Sequence, residues 1–167
     1  VLGLIASGKI LLDDVTSITK IIDIDIEGEP SDIALIDAVV TTERFIGAKA
    51  LLDGDALKTA LLTRADPAAV GVTALGGLLH PLSESHNSGL LLQLGKGRRV
   101  VVAPIAPGLY QSIKVTSAEP VAFDEVIGFE GPCVIACDGE RERVIKKGQK
   151  FEMRVSRTGP SIVDIKK

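Results

Sequence analysis

Apolar and polar residues alternate strictly over Ile22-Asp23-Ile24-Asp25-Ile26-Glu27. A period of two belongs to a strand with one buried face. Residues 22–27 are therefore expected to form a half-buried strand, closed by a turn at Gly28-Glu29-Pro30-Ser31. Near the C-terminus Phe151, Met153 and Val155 alternate with Glu152, Arg154 and Ser156, which predicts another such strand. Before it, Cys133-Val134-Ile135-Ala136-Cys137 and Arg143-Val144-Ile145 flank Asp138-Gly139. Asp-Gly is a two-residue turn that needs positive φ, so this stretch reads as a hairpin. With residues 151–156 as a third strand it predicts a C-terminal meander, introduced by Gly128, Gly131 and Pro132.

The rest of the chain is punctuated in the same way. Residues 34–42 are rich in Val, Ile and Leu and predict a strand. Residues 45–52 read as another, ending at Asp53-Gly54-Asp55. Residues 56–64 fit both periods: Leu57, Leu61 and Leu62 make a helix face, while Leu57, Thr59, Leu61 and Thr63 make a strand face. Residues 70–73 predict a short strand running into Gly76-Gly77, followed by a polar loop over residues 83–88. Residues 90–94 and 100–105 pair as a hairpin across Gly95-Lys96-Gly97, the second ending at Pro104 and Pro107. Ile113, Val115, Val121 and Phe123 continue the β pattern. Short strands separated by Gly and Pro predict one mainly β domain, a β-rich α+β fold, over residues 1–167, with residues 1–20 as a connecting segment.

Composition sharpens this picture. With 46 % apolar but only 3 % aromatic residues, the core must be aliphatic. A net charge of −3 gives no electrostatic reason to expect nucleic acid or an anionic membrane. No apolar run approaches the roughly 20 residues of a membrane span, and no secretory signal is visible. On one strand face Cys133 and Cys137 would lie about 13 Å apart, beyond the roughly 7 Å that a disulfide allows. They are expected to be buried free thiols, which fits a cytoplasmic protein. The chain starts at Val1 and its only Met is Met153, so a piece of a longer protein is expected.

Few residues stand out chemically. Asp23 and Asp25 share a strand face and could be paired carboxylates, but a solvated face explains them. Glu140, Arg141, Glu142 and Arg143 alternate in sign, as cross-strand ion pairs do. Gly76-Gly77 lacks the Gly-Lys-Ser/Thr of a phosphate-binding P-loop and reads as a tight turn. His80 and His86 show no Ser or Cys partner in a nucleophile elbow. Asp37 is the one charge within the apolar run 34–40, so its carboxylate must face solvent, be paired, or serve a function.

Several segments, taken in order over residues 20–165, resemble the C-terminal domain of the ATP-dependent NAD kinases. They are more similar to the acetoin-catabolism protein X branch and its archaeal NAD kinase-like relatives. Residues 34–40, Ala-Leu-Ile-Asp-Ala-Val-Val, resemble the segment that contacts the NAD adenosine. Residues 71–81 resemble the Thr-containing, Gly-Gly-bearing loop, and residues 103–107 resemble the Pro-Ile-x-Pro strand. Cys137-Asp138-Gly139-Glu140 and Lys147-Gly148-Gln149 resemble the Asp-Gly-Gln hairpin and the turn after it. The chain departs from the pattern at Ile36 for Asn, at Gly108 for His, and at Thr73-Ala74-Leu75 for a longer hydroxyl-rich signature. The Gly-Gly-Asp-Gly-Thr motif, which belongs to the family's N-terminal domain, is absent from this sequence.

The resemblance implies layered antiparallel sheets like those of the NAD kinase C-terminal β-domain. It also implies a domain that binds NAD and forms homo-oligomers, within a phosphotransferase acting on a ribose 2′-hydroxyl. Substrate contacts would come from Asp37, Thr73, Ala74, Gly76, Gly77, Asp138 and Glu140, with no catalytic residue or metal ligand in this segment. ATP and Mg2+ are implied for the full-length parent, whose N-terminal domain would carry the base. The competing expectations are a non-catalytic module of the acetoin-catabolism type and a lipid or sugar kinase relative.

Overall fold

The computed structural model describes residues 2–42 and 56–163. The expected strand 45–52 and its Asp53-Gly54-Asp55 turn lie outside the described residues. In chain order the strands are β1 (Thr16–Ile18), β2 (Ile21–Ile26), β3 (Asp32–Ala34), β4 (Asp37–Thr41), β5 (Leu57–Leu62), β6 (Ser88–Ala106) and β7 (Leu109–Ala122). They continue as β8 (Ile127–Glu130), β9 (Cys133–Cys137), β10 (Arg141–Ile145), β11 (Lys150–Ser156) and β12 (Ser161–Val163). Helix α1 (Leu2–Ala6) lies in the connecting segment, and α2 (Val72–Leu79) sits between β5 and β6.

The strands form a six-stranded sheet, β10-β9-β4-β5-β6-β7, a four-stranded sheet, β3-β2-β11-β8, and a β1-β12 ribbon. All pairings are antiparallel. The expectation of a mainly β domain with layered antiparallel sheets is met. Alternation sorts side chains into two cores. Ile22, Ile24 and Ile26 of β2 and Phe151, Met153 and Val155 of β11 meet Ala38, Val40, Leu61 and Ile135 of the larger sheet. Fully burying one such aliphatic side chain contributes about 1.5–3 kcal/mol. On the larger sheet's other face Val39, Leu62, Leu90 and Leu92 pack under Val72 and Leu75 of α2.

Four local expectations are corrected. Residues 34–42 are two strands in different sheets. At the crossing the Asp138 carboxylate accepts the N–H groups of Leu35, Ile36 and Asp37, which withdraws those donors from any ladder. The β9–β10 hairpin is present, with φ of 55° at Asp138 and 68° at Gly139, but the third strand of the meander is elsewhere. β11 pairs with β2 and β8 in the smaller sheet, where its apolar face stands beside that of β2. Residues 90–94 and 100–105 are halves of one strand along β7, and Pro104 does not end it. Leu94 and Arg99 both face Val115, so residues 95–98 bulge out and shift the buried phase from Leu90, Leu92 and Leu94 to Ala103 and Ile105. Gly97 lies where any Cβ would strike the Val115 backbone. Residues 72–79 form a helix rather than a strand and a turn, because a nearly continuous apolar run, buried from Val72 to Gly77, carries no period to choose between them. The ambiguous residues 56–64 resolve into β5.

Charges on the strand faces are paired. Arg154 lies 3.7 Å from Asp23 and 3.2 Å from Asp25. Arg141 reaches Asp32 at 2.6 Å, and Arg143 reaches Glu29 and Asp32, so the β10 arginines clamp the β2–β3 corner of the other sheet instead of β9. Burial works to raise the Asp32 carboxyl, but its bonds to Arg141 and the Ile33 N–H hold it below the usual range. Both cysteines are free, Cys137 is buried, and Cys133 is half-buried. Burial, with the nearby carboxylates, pushes the Cys137 thiol up to about 11, so it is an inert core residue.

Candidate functional site

The chain leaves β5 through Thr63 and Arg64 and returns to the core through α2. Thr63 donates its hydroxyl to Leu35 O at 3.0 Å and its N–H to Ile36 O at 2.9 Å, which fixes this exit against the sheet crossing. Asp66 accepts the Ala68 N–H on Oδ1 at 2.8 Å and donates its own N–H to Thr73 O. This turn ties the loop to the first turn of α2. Gly71, with φ of 76°, caps that helix and donates to Pro104 O of β6.

These elements enclose a cleft of about 500 Å³ lined by Ile36, Asp37, Arg64, Asp66, Ala69, Val70 and Thr73. Asp37 begins β4 at the crossing. Burial, and next the Asp138 charge, push its carboxyl up to about 7. No hydrogen bond or ion pair joins the Asp37 carboxyl, the Thr73 hydroxyl or the Arg64 guanidinium to a partner among the described residues. The cleft therefore presents a cation, a hydroxyl and a carboxyl that is half protonated near neutrality. The first-turn N–H groups of α2 open at its start.

The expected site residues divide. Asp37 and Thr73 line one cleft. Asp138 does not line it, and its carboxylate is committed to backbone N–H groups of the crossing. Ala74, Gly76 and Gly77 face the core. A Cβ on Gly76 would meet Leu62 and Ala65, and one on Gly77 would strike the Asp66–Pro67 backbone. The glycines thus let α2 sit close to β5 and the cleft loop. Glu140 is exposed in the β9–β10 turn and does not line the cleft. Arg64 and Asp66 were not singled out from the sequence. Their signal was a polar run, Thr63-Arg64-Ala65-Asp66-Pro67, directly after an apolar strand. His86 does have a serine partner, Ser83, whose Oγ lies 2.7 Å from Nδ1. Among the described residues no group of three His, Cys, Asp or Glu could hold a metal ion. No helix among them is long and apolar enough to cross a membrane.

Fold and cleft together define a two-sheet β domain with a cleft where the chain crosses between the sheets. The family model for the acetoin catabolism protein X C-terminal domain matches residues 20–158, and the chain belongs to that family. It is 36 % identical over 148 residues to acetoin catabolism protein X of Cupriavidus necator, covering 84 % of this chain and 41 % of that protein. The chain thus spans about two-fifths of the length of this curated relative. The acetoin-catabolism branch of the expected resemblance is borne out.

Proposed function

We propose that this domain is the ligand-holding module of a longer acetoin catabolism protein X-type protein, and that it binds a small-molecule nucleotide without carrying out covalent chemistry itself. The observation that carries this reading is the convergence of Asp37, Arg64 and Thr73 on one cleft. Below pH 7 the Asp37 carboxyl is mostly protonated and so donates a hydrogen bond. With Arg64, the Thr73 hydroxyl and the helix start, it gives a donor-rich mouth suited to ribose and phosphate oxygens.

A second reading keeps NAD kinase-like phosphotransfer for the full-length parent, from ATP to the ribose 2′-hydroxyl of NAD. In its favour, Asp37 and Thr73 lie together as that resemblance implies. Mg2+ would belong to the parent's bound phosphates. Both Asp138 oxygens are taken by backbone N–H groups, and Asp37 with Asp66 alone does not make a metal cage. No step is therefore routed through a metal here.

Calorimetric titration of NAD and AMP into the folded chain tests the module. We expect saturable binding that Asp37→Ala and Arg64→Gln each weaken by about tenfold, the worth of one charge-assisted hydrogen bond. No heat at millimolar ligand overturns it. Incubating the full-length parent with NAD, ATP and Mg2+ separates the readings: NADP formation favours the second, and its absence favours the module.

A further inference from the structure

Beyond the bulge at residues 95–98, β6 and β7 run on as a two-stranded arm. The last described pair of β5 with β6 is Thr59 opposite Gln93, so among the described residues only β7 pairs with β6 from Arg99 to the turn. One face of the arm is covered: Ala103, Ile105, Ile113 and Val115 join the core with Val72 and Leu75 of α2. The other face is bare. It carries Val100 opposite Lys114, Val102 opposite Ser112 and Pro104 opposite Tyr110. Val100, Val102 and Tyr110 are 57 %, 58 % and 67 % exposed, and Leu109 at the turn is 41 % exposed. Gly71 donates its N–H to Pro104 O at 2.8 Å, which brings the exposed Val70 beside the tip.

Outward strand positions elsewhere are polar: β2 and β11 place Asp23, Asp25, Glu152 and Arg154 on the face away from the core. A ladder of Val100, Val102 and Tyr110 on a bare face breaks that rule and marks a surface that is covered in use. Its charge is as distinctive. Lys96, Arg98 and Arg99 are exposed in and beside the bulge, and none has an ion-pair or hydrogen-bond partner among the described residues. Between Glu84 and Glu119 the chain holds no carboxylate at all. The net charge of −3 thus conceals a local surplus of cations. A second copy of the arm would set like charges against these, which is costly, so the face suits an anionic partner.

We infer that the arm docks on an anionic lipid surface, with Val102, Leu109 and Tyr110 in the interfacial layer and Lys96, Arg98 and Arg99 at the headgroup phosphates. The order of side chains along the arm favours lipid over an acidic protein. The apolar turn comes first, a tyrosine stands beside it, and the cations follow. Tyr110 precedes Lys114 by four positions on β7, about 13 Å at roughly 3.3 Å per residue. Interfacial segments bury apolar side chains about 5–10 Å deep, so the cations fall at the level of the headgroups. Tyrosine rings are enriched at that boundary. The inference uses nothing from the Asp37 cleft and stands apart from the nucleotide reading.

The test is co-sedimentation of the chain with vesicles of phosphatidylcholine alone and of phosphatidylcholine mixed with phosphatidylserine. We expect saturable binding to the mixed vesicles that falls as sodium chloride is raised, and far weaker binding to phosphatidylcholine. The double variant Arg98→Ser, Arg99→Ser should weaken binding about twentyfold, roughly fivefold per cation. The double variant Val102→Ser, Tyr110→Ser should weaken it by about tenfold. All four side chains are exposed, so both variants should keep the wild-type thermal midpoint. Absence of binding to mixed vesicles at millimolar lipid overturns the inference, as does wild-type affinity in either folded variant. Saturable binding to polyglutamate without vesicle binding also overturns it and points to an acidic protein. A dimer in sedimentation velocity that the Val102→Ser, Tyr110→Ser variant dissociates overturns it in favour of a second copy.

Discussion

Asp37 places a strong constraint on how stability must change with pH. In the native state its carboxyl is pushed up to about 7, first by burial and then by the Asp138 charge. In the unfolded chain an Asp titrates near 3.9. The native state therefore holds the proton more tightly than the unfolded state. The stabilisation linked to that proton is fully present below about pH 4, declines as pH rises to about 7, and is absent above. A separation of roughly 3 units at 1.36 kcal/mol per unit amounts to about 4 kcal/mol. Asp37→Asn keeps the shape and removes the titration. Relative to wild type it should be nearly neutral at pH 4 and more stable at pH 8 by a few kcal/mol, with 4 as the ceiling. Urea unfolding of both proteins at the two pH values measures this as a double difference, in which every titrating group not coupled to Asp37 cancels. The urea slopes should match, so the effect appears in the midpoints alone. An Asn variant whose advantage is the same at pH 4 and pH 8 would refute the argument. So would a carboxyl 13C titration of Asp37 with its midpoint near 4. The same protonation bears on binding: if the neutral carboxyl donates to the ligand, wild-type affinity falls above pH 7 and that of Asp37→Asn does not.

Two further substitutions test the surroundings of the cleft. Asp138→Ala strips the acceptor from the Leu35, Ile36 and Asp37 N–H groups, and should lower stability by about 2–4 kcal/mol. Asp138→Asn keeps one acceptor oxygen and tolerates the positive φ of 55°, so it should fall between the two in denaturant midpoint; an Ala variant as stable as wild type would show that the crossing is held by something else. Gly77→Ala drives a methyl into the Asp66–Pro67 backbone and should cost about 1–3 kcal/mol, read as a drop in thermal midpoint. Gly3→Ala, with nothing within 4 Å of the added methyl, is its neutral control, and equal midpoints for the two variants would remove the packing role of Gly77.

The strands were most legible where one face is buried and the other wet. Residues 22–27 and 151–156 show a clear period of two, and in the structure they stand side by side with Ile24 opposite Met153. The Asp138-Gly139 turn was legible because two successive positive φ angles are steep to adopt for any other pair. Partners were less legible than strands. Nothing local says that β11 belongs beside β2, because pairing across so many residues is decided by which apolar faces can be buried together. The bend in β6 was hidden for a related reason: Gly95-Lys96-Gly97 has the composition of a hairpin turn, and only the unbroken strand opposite it makes a bulge. The α2 run, Val-Thr-Ala-Leu-Gly-Gly-Leu-Leu, was misread because glycines that signal a turn in the open signal close approach when buried under Leu62 and Pro67.

The candidate site shows the same division between chemistry and placement. Asp37 was conspicuous because a carboxylate inside an apolar run must be explained, and the structure places it at a sheet crossing, where the backbone rather than the side chain is satisfied. Asp138 accounts for both facts. Its carboxylate takes the three N–H groups that free the chain to change sheets, and its charge helps keep the neighbouring carboxyl protonated. One residue of a hairpin turn therefore both makes the crossing and tunes the group that the crossing exposes. The sequence shows each aspartate but not their adjacency, which depends on the β4–β9 register that sets Ala38 opposite Cys137. Arg64 was silent in the sequence for the opposite reason. A single arginine after a strand is ordinary, and its meaning comes only from lining the cleft that also holds Asp37 and Thr73.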